Sequence, residues 1–136
     1  MVDRQEGTTG FVPYFSYRDA EGALEFLERA FGFERVVAYP GDDGKVMHAE
    51  MSFGPARLMM GTGEPPAEGD PDAKSPAAHG VYVVVADVDA HHERAAEAGA
   101  RIVYPPEDTE FGTRRYRALD PEGYEWSFGS YDPAGG

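Results

Sequence analysis

From Phe11 to Arg18 the chain alternates, with Phe11, Pro13, Phe15 and Tyr17 on one side and Val12, Tyr14 and Ser16 on the other, the period of a half-buried strand. The period then lengthens. Ala23, Phe26, Leu27, Ala30 and Phe31 recur at three- and four-residue intervals. Asp19 stands where an N-cap belongs and Gly32 supplies a stop, so a helix is predicted over about 20–31. Strands follow at 34–39, 46–53 and 56–61, separated by the turn sequence GDDGK and by Gly54-Pro55. Within 46–53 the set Met47, Ala49, Met51 and Phe53 would pack beneath the helix, which leaves His48, Glu50 and Ser52 on the opposite face.

Residues 62–78 carry no period and are rich in Gly, Pro, Ala and acid, as a linker is. After them the same order returns: strand 79–86, a helix over about 88–98 closed by Gly99, and strands 101–104, 113–119 and 124–130, the last two joined by the turn DPEG. Asp19 and Asp87 are 68 residues apart, Gly32 and Gly99 are 67 apart, and the turn glycines Gly54 and Gly123 are 69 apart. A βαβββ module is therefore repeated in tandem, at about 10–61 and 79–131, within one domain covering 1–136. The expected fold class is α+β. A four-stranded sheet with a single helix has a second face to cover, so the two mixed sheets are expected to curl into a cup whose concavity is the binding site.

Composition narrows the function. A chain of 136 residues, 41% of them hydrophobic, holds one ordinary core. No apolar run approaches the roughly 20 residues of a membrane-spanning helix, and MVDRQEGTTG lacks the apolar centre of a signal peptide, so a cytoplasmic location is expected. The absence of cysteine excludes disulfides, thiolate catalysis and Cys-ligated zinc. With 25 acidic and 12 basic residues the formal net charge is −13, which repels phosphate backbones and anionic lipid. Nucleic acid and membranes are thus unsuited as partners, and a small molecule is the expected one.

The segments VPYFSYRDAEGALEFLERAFGF, GKVMHAEMSFGPARLMM, HGVYVVVADVDAHHERAAEAGARIVYPPED and DPEGYEWSF resemble the vicinal oxygen chelate superfamily, that of glyoxalase I, bleomycin resistance proteins, fosfomycin-resistance enzymes and extradiol dioxygenases. The resemblance runs from about Gly10 to Tyr131. It implies the cup-shaped fold of paired βαβββ modules and a homodimer. It also locates the positions at which metal-dependent members hold their ion, and here these carry Val12, Met59, Gly80 and Ser127. One hydroxyl among four residues is no ligand set for a hard divalent ion. His79 is one residue away, on the opposite strand face. No metal and no other cofactor is expected at this site.

Two functions follow. One is a metal-free protein that binds a small organic molecule in the cup. The other is a lyase, isomerase or dioxygenase of the same superfamily that uses a displaced metal site or acid/base residues, with His48 and Glu50 as the catalytic candidates. The other reading of His48, and the one its pairing favours, is a structural histidine bonded to Glu50. The ligand-binding candidates are Tyr14 and Ser16 on the first strand, Met59, Tyr82, Arg115, Tyr116, Glu125 and Ser127. Tyr14 and Tyr82 hold equivalent places, where a planar ligand would stack. One guanidinium from the run Arg114, Arg115, Arg117 is a candidate clamp for a carboxylate or phosphate. Trp126 and Phe128 alternate onto the helix side, while Glu125 and Ser127 face the cup. His91 and His92 diverge by about 100° around their helix and are expected at the solvated surface.

Overall fold

The computed structural model describes residues 12–63 and 80–133. Module one comprises β1 (Tyr14–Tyr17), α1 (Ala20–Phe26) continued by a π-helical turn (Leu27–Phe31), β2 (Glu34–Pro40), β3 (Val46–Phe53) and β4 (Ala56–Thr62). Module two comprises β5 (Gly80–Val84), α2 (Val88–Glu97), β6 (Arg101–Asp108), β7 (Arg114–Leu119) and β8 (Glu125–Gly129). The sheets have the equivalent orders β1-β4-β3-β2 and β5-β8-β7-β6. The pairs β1–β4 and β5–β8 are parallel and the remaining pairs antiparallel. The predicted α+β repeat of βαβββ is thus the fold, while Phe11, His79 and most of the 62–78 linker lie outside the described residues.

The local chemistry that starts and stops the helices is duplicated. Asp19 accepts a hydrogen bond from the Gly22 N–H and Asp87 one from the Ala90 N–H, each at 3.0 Å, satisfying donors that have no partner inside a helix. Gly32 at φ 81° and Gly99 at φ 93° occupy the left-handed region where a side chain is strained. The first helix differs from expectation in its last turn, where the Gly32 N–H reaches back to the Leu27 carbonyl in a widened π turn. β6 continues past the predicted 104 to Asp108 despite Pro105 and Pro106, because it is an edge strand with β7 on one side only.

The helix-bearing faces of both sheets meet in one apolar core. Phe15 stacks on Trp126 at 5.2 Å between ring centroids, and Phe31 packs against Trp126 at 5.5 Å and Phe128 at 4.8 Å. Polar groups pin the same junction. Asp120, buried in the DPEG turn, accepts from the Tyr17 hydroxyl at 2.6 Å and the Trp126 indole N–H at 3.1 Å, and its other oxygen accepts the N–H groups of Glu122 and Tyr124. The Glu122 carboxylate accepts the N–H groups of Arg18 and Asp19 at 2.7 and 2.8 Å. Burial pushes the Asp120 carboxyl up, opposed by these four donors, and pushes the Tyr17 hydroxyl up strongly.

This junction overturns the surface reading of His91. Its Nδ1 and Nε2 lie 2.6 Å from the Tyr116 hydroxyl and 2.9 Å from the Phe31 carbonyl. The carbonyl can only accept, so Nε2 carries the proton and Nδ1 accepts from Tyr116. At that position the helix lies against both its own sheet and the first module, which leaves His91 only partly exposed. Met47 also departs from expectation: it is 64% exposed while Val46 is buried, because the β2–β3 register shifts between Tyr39 and Pro40 and changes which face that end of the strand presents. No helix among the described residues is long and apolar enough to cross a membrane.

Candidate functional site

With the apolar faces spent on the shared core, each sheet presents its other face openly. Strand alternation decides which residues these are, and the register places them in rows. In module one Val37, Glu50, Met59 and Tyr14 are successive neighbours across β2, β3, β4 and β1. In module two Tyr104, Arg117, Ser127 and Tyr82 form the matching row. Tyr14 and Tyr82, and Met59 and Ser127, are therefore structural equivalents. So are Glu50 and Arg117: the duplication holds a carboxylate in one copy where it holds a guanidinium in the other.

The two tyrosines share a second device. Gly61 and Gly129 lie under their hydroxyl ends: a Cβ at Gly61 would come 3.3 Å from the Tyr14 oxygen, and one at Gly129 would come 2.5 Å from that of Tyr82. At Gly129 a side chain would displace the Tyr82 ring, whereas at Gly61 the nearer obstacle is the Met47 carbonyl, 2.7 Å from the same Cβ position. Tyr14 remains 58% exposed and Tyr82 42%. The Tyr82 hydroxyl donates to the Tyr131 carbonyl at 2.7 Å, and burial pushes its pKa up.

On module one, His48 Nε2 and Glu50 Oε2 are 2.8 Å apart, both partly exposed, and Tyr39 stacks on the imidazole at 6.4 Å and 14°. The sequence-predicted pair is thus assembled, with Ser16 exposed on β1 of the same face. On module two, Arg117 Nε donates to the Ser127 hydroxyl at 2.9 Å, and one terminal nitrogen lies 3.4 Å from Glu125. Arg115 donates through Nε to Glu107 at 3.2 Å. Both guanidiniums lie over the Tyr104 ring, at 5.7 and 5.3 Å from its centroid. Arg115 and Arg117 therefore both face the open side, whereas Arg114 pairs with Asp89 of α2 and with Asp108.

Tyr116 is a correction. It lies between the two open-side arginines on a strand, so it faces the other way, is 0% exposed and bonds His91 in the core. Burial pushes its hydroxyl up. It lines no open face. Tyr104, by contrast, went unpredicted. Its signal was available, since it stands on the edge strand opposite the arginines.

Three cavities touch these residues, and one of them, about 1040 Å³, lies over Tyr82, Glu107, Arg114, Arg115 and Tyr131. A shallow one of about 260 Å³ is lined by Tyr82, Tyr104, Arg115, Arg117, Glu125 and Ser127, with Gly80 and Val81 at its side. An apolar cleft of about 700 Å³ runs between the β3–β4 turn and β5, with Phe33, Phe53, Leu58, Val81, Val83 and Trp126 in its walls. Sequence reasoning missed the cleft, because its walls come from both modules and depend on how they dock.

The positions that hold an ion in metal-dependent relatives of the fold carry Val12, Met59, Gly80 and Ser127, a set of one hydroxyl, one thioether and no charged donor. These residues do not fit a divalent cation. Among the described residues no three His, Asp or Glu side chains cluster closely enough to bind a metal.

Comparison with known proteins agrees with this architecture. The model of the Glyoxalase/Bleomycin resistance protein/Dioxygenase superfamily matches residues 14–128. The crystal structure of TioX from Micromonospora sp. ML1 is 32% identical, with a TM-score of 0.71 over 88% of this chain and 94% of that one. The fosfomycin resistance protein FosX from Mesorhizobium loti shares the fold at 19% identity and a TM-score of 0.65, covering 92% of this chain and 93% of its own. The uncharacterized protein Rv0887c of Mycobacterium tuberculosis is 32% identical over 121 residues, which are 86% of this chain and 71% of that protein.

Proposed function

The chain belongs to the Glyoxalase/Bleomycin resistance protein/Dioxygenase superfamily, and we propose that within it the protein is a metal-free binder of a small organic molecule, acting as a cytoplasmic homodimer. One observation carries the reading: both open faces present a half-exposed tyrosine laid over a glycine and flanked by charged groups, a stacking surface with orienting contacts. The unfit metal positions point the same way, and the exposed apolar side chains Val12, Tyr14, Tyr39, Tyr82 and Val84 make these surfaces suited to cover by a second copy and a ligand. In that assembly the open face of one module is walled by that of another.

The test is a thermal-shift screen of metabolites and antibiotics, run with and without chelator. A ligand should raise the melting temperature by mass action, and chelator should leave it unchanged. A drop of several degrees on chelation, reversed by one particular metal, would refute the metal-free reading.

The 2.8 Å approach of His48 to Glu50 on an open face supports a second reading, general acid/base catalysis by this pair on the same bound molecule. Replacing His48 by Gln separates the two. If the imidazole is a base, the replacement abolishes turnover; if it only touches the ligand, affinity changes by a modest factor.

A further inference from the structure

We infer that the ligand carries an anionic group, a carboxylate or an equivalent planar oxyanion beside an aromatic ring, and that module two is the half that recognises it, through Arg115 and Arg117. The inference rests on the small-molecule reading above and adds the class of the ligand.

Both arginines keep donors in reserve. Arg115 bonds Glu107 through Nε alone, so neither of its terminal nitrogens makes a hydrogen bond among the described residues. Arg117 spends Nε on Ser127 and holds Glu125 at 3.4 Å with one terminal nitrogen, which leaves the other open. An end-on pair of N–H donors is the geometry that matches the two oxygens of a carboxylate. Both guanidiniums are held by their Nε bonds and by the Tyr104 ring beneath them, so little orientation remains to be fixed on binding. The Tyr82 ring, anchored at its hydroxyl, lies beside Ser127 in the same row and supplies the surface for an aromatic body. Tyr82, Tyr104, Arg115, Arg117, Glu125 and Ser127 line the cavity of about 260 Å³, room for an aromatic acid of one or two rings, and Tyr82 and Arg115 also border the one of about 1040 Å³.

The formal charge of −13 does not oppose this. Ionic screening reduces distant charges over about 8 Å at physiological salt, so the guanidiniums in contact set the local field. Glu107 and Glu125 do oppose it, and that makes the idea testable. If the carboxylates only complete structural ion pairs, removing one leaves anion affinity untouched. If they compete with the ligand, removing one raises it.

Titration of the ¹⁵N-labelled full chain with 2-naphthoate and with its uncharged counterpart 2-naphthalenemethanol, followed by amide chemical shifts, reads this directly. Naphthoate should give saturable shifts centred on Arg115, Arg117, Ser127 and Tyr82, with an affinity about tenfold or more above that of the alcohol. Arg117→Gln and Arg115→Gln should each erase most of that preference, Arg117→Lys should keep only part of it, and Glu125→Gln should tighten naphthoate. The spectra report whether each variant is folded. Equal binding of acid and alcohol on this face would overturn the anion inference and leave small-molecule binding standing. Shifts confined to Tyr14 and His48 would place recognition in module one and also overturn it. If neither compound moves an open-face amide at millimolar concentration and the thermal-shift screen finds no ligand, the inference and the binding reading fall together.

Discussion

His91 makes a pH-dependent prediction whose sign is set by its surroundings. Its Nε2–H donates to the Phe31 carbonyl and its Nδ1 accepts from Tyr116, so the neutral ring satisfies both partners while a second proton would face the Tyr116 donor. Burial lowers its pKa below the ordinary 6.5; the Phe31 carbonyl partly offsets this and the Arg94 charge on the same helix adds to it. The unfolded chain therefore takes up a proton that the folded protein refuses. Stability from this group is full well above pH 6.5 and is lost as the pH falls, at a slope of at most about 1.4 kcal/mol per pH unit until the folded pKa is passed. Replacing His91 by Gln removes the titration and the nearer acceptor of the Tyr116 hydroxyl, which keeps only the residue-91 carbonyl at 3.4 Å, at about 1–3 kcal/mol for a buried hydroxyl left short. The difference between wild type and His91→Gln isolates this residue from the other titrating groups. It should be greatest near pH 8 and shrink toward pH 5 in urea denaturation followed by Trp126 fluorescence. A difference that stays flat, or grows toward acid, would show that His91 is charged in the folded protein and that the assigned tautomer is wrong.

Further outcomes are expected from the junction and the open faces. Asp120→Asn should destabilise by about 1–3 kcal/mol, because an amide nitrogen would meet the Trp126 indole N–H, and a double-mutant cycle with Tyr17→Phe should show coupling. A loss under about 0.5 kcal/mol, the ordinary range of a surface substitution, would contradict the network. Phe31→Ala should cost about 3–5 kcal/mol in the same denaturation assay, as the ring is fully buried against Trp126 and Phe128. Tyr14→Ala and Tyr82→Ala should cost less stability and weaken a screened ligand by about 1 kcal/mol; the reverse pattern would make the tyrosines core. Light scattering at micromolar concentration should find a dimer, and monomer alone would count against the proposed assembly.

Much of the fold was legible because its signals are local. Asp19 and Asp87 cap helices through their own side chains, Gly32 and Gly99 end them by backbone conformation, and alternation sorts Phe15 from Tyr14 and Met51 from Glu50. What failed depended on docking or register. Nothing near His91 in the chain announces that the first module's Phe31 carbonyl will lie against it. Met47 changed face through a two-strand irregularity that one strand alone does not reveal. Tyr116 is different: Arg115 and Tyr116 are adjacent on one strand and so cannot both face the open side, and the structure keeps Arg115 there and buries Tyr116.

The matched rows, Glu50 beside Met59 and Arg117 beside Ser127, carry a consequence for how such a chain changes over generations. A tandem copy begins with two identical walls, and the interior contacts hold the frame in place. The exposed rows contribute few of those contacts, so exchanges there leave folding largely untouched. One wall is then free to drift toward a new molecule while its twin keeps the old grip. In this chain the two walls differ in charge at that position, with Glu50 on one and Arg117 on the other.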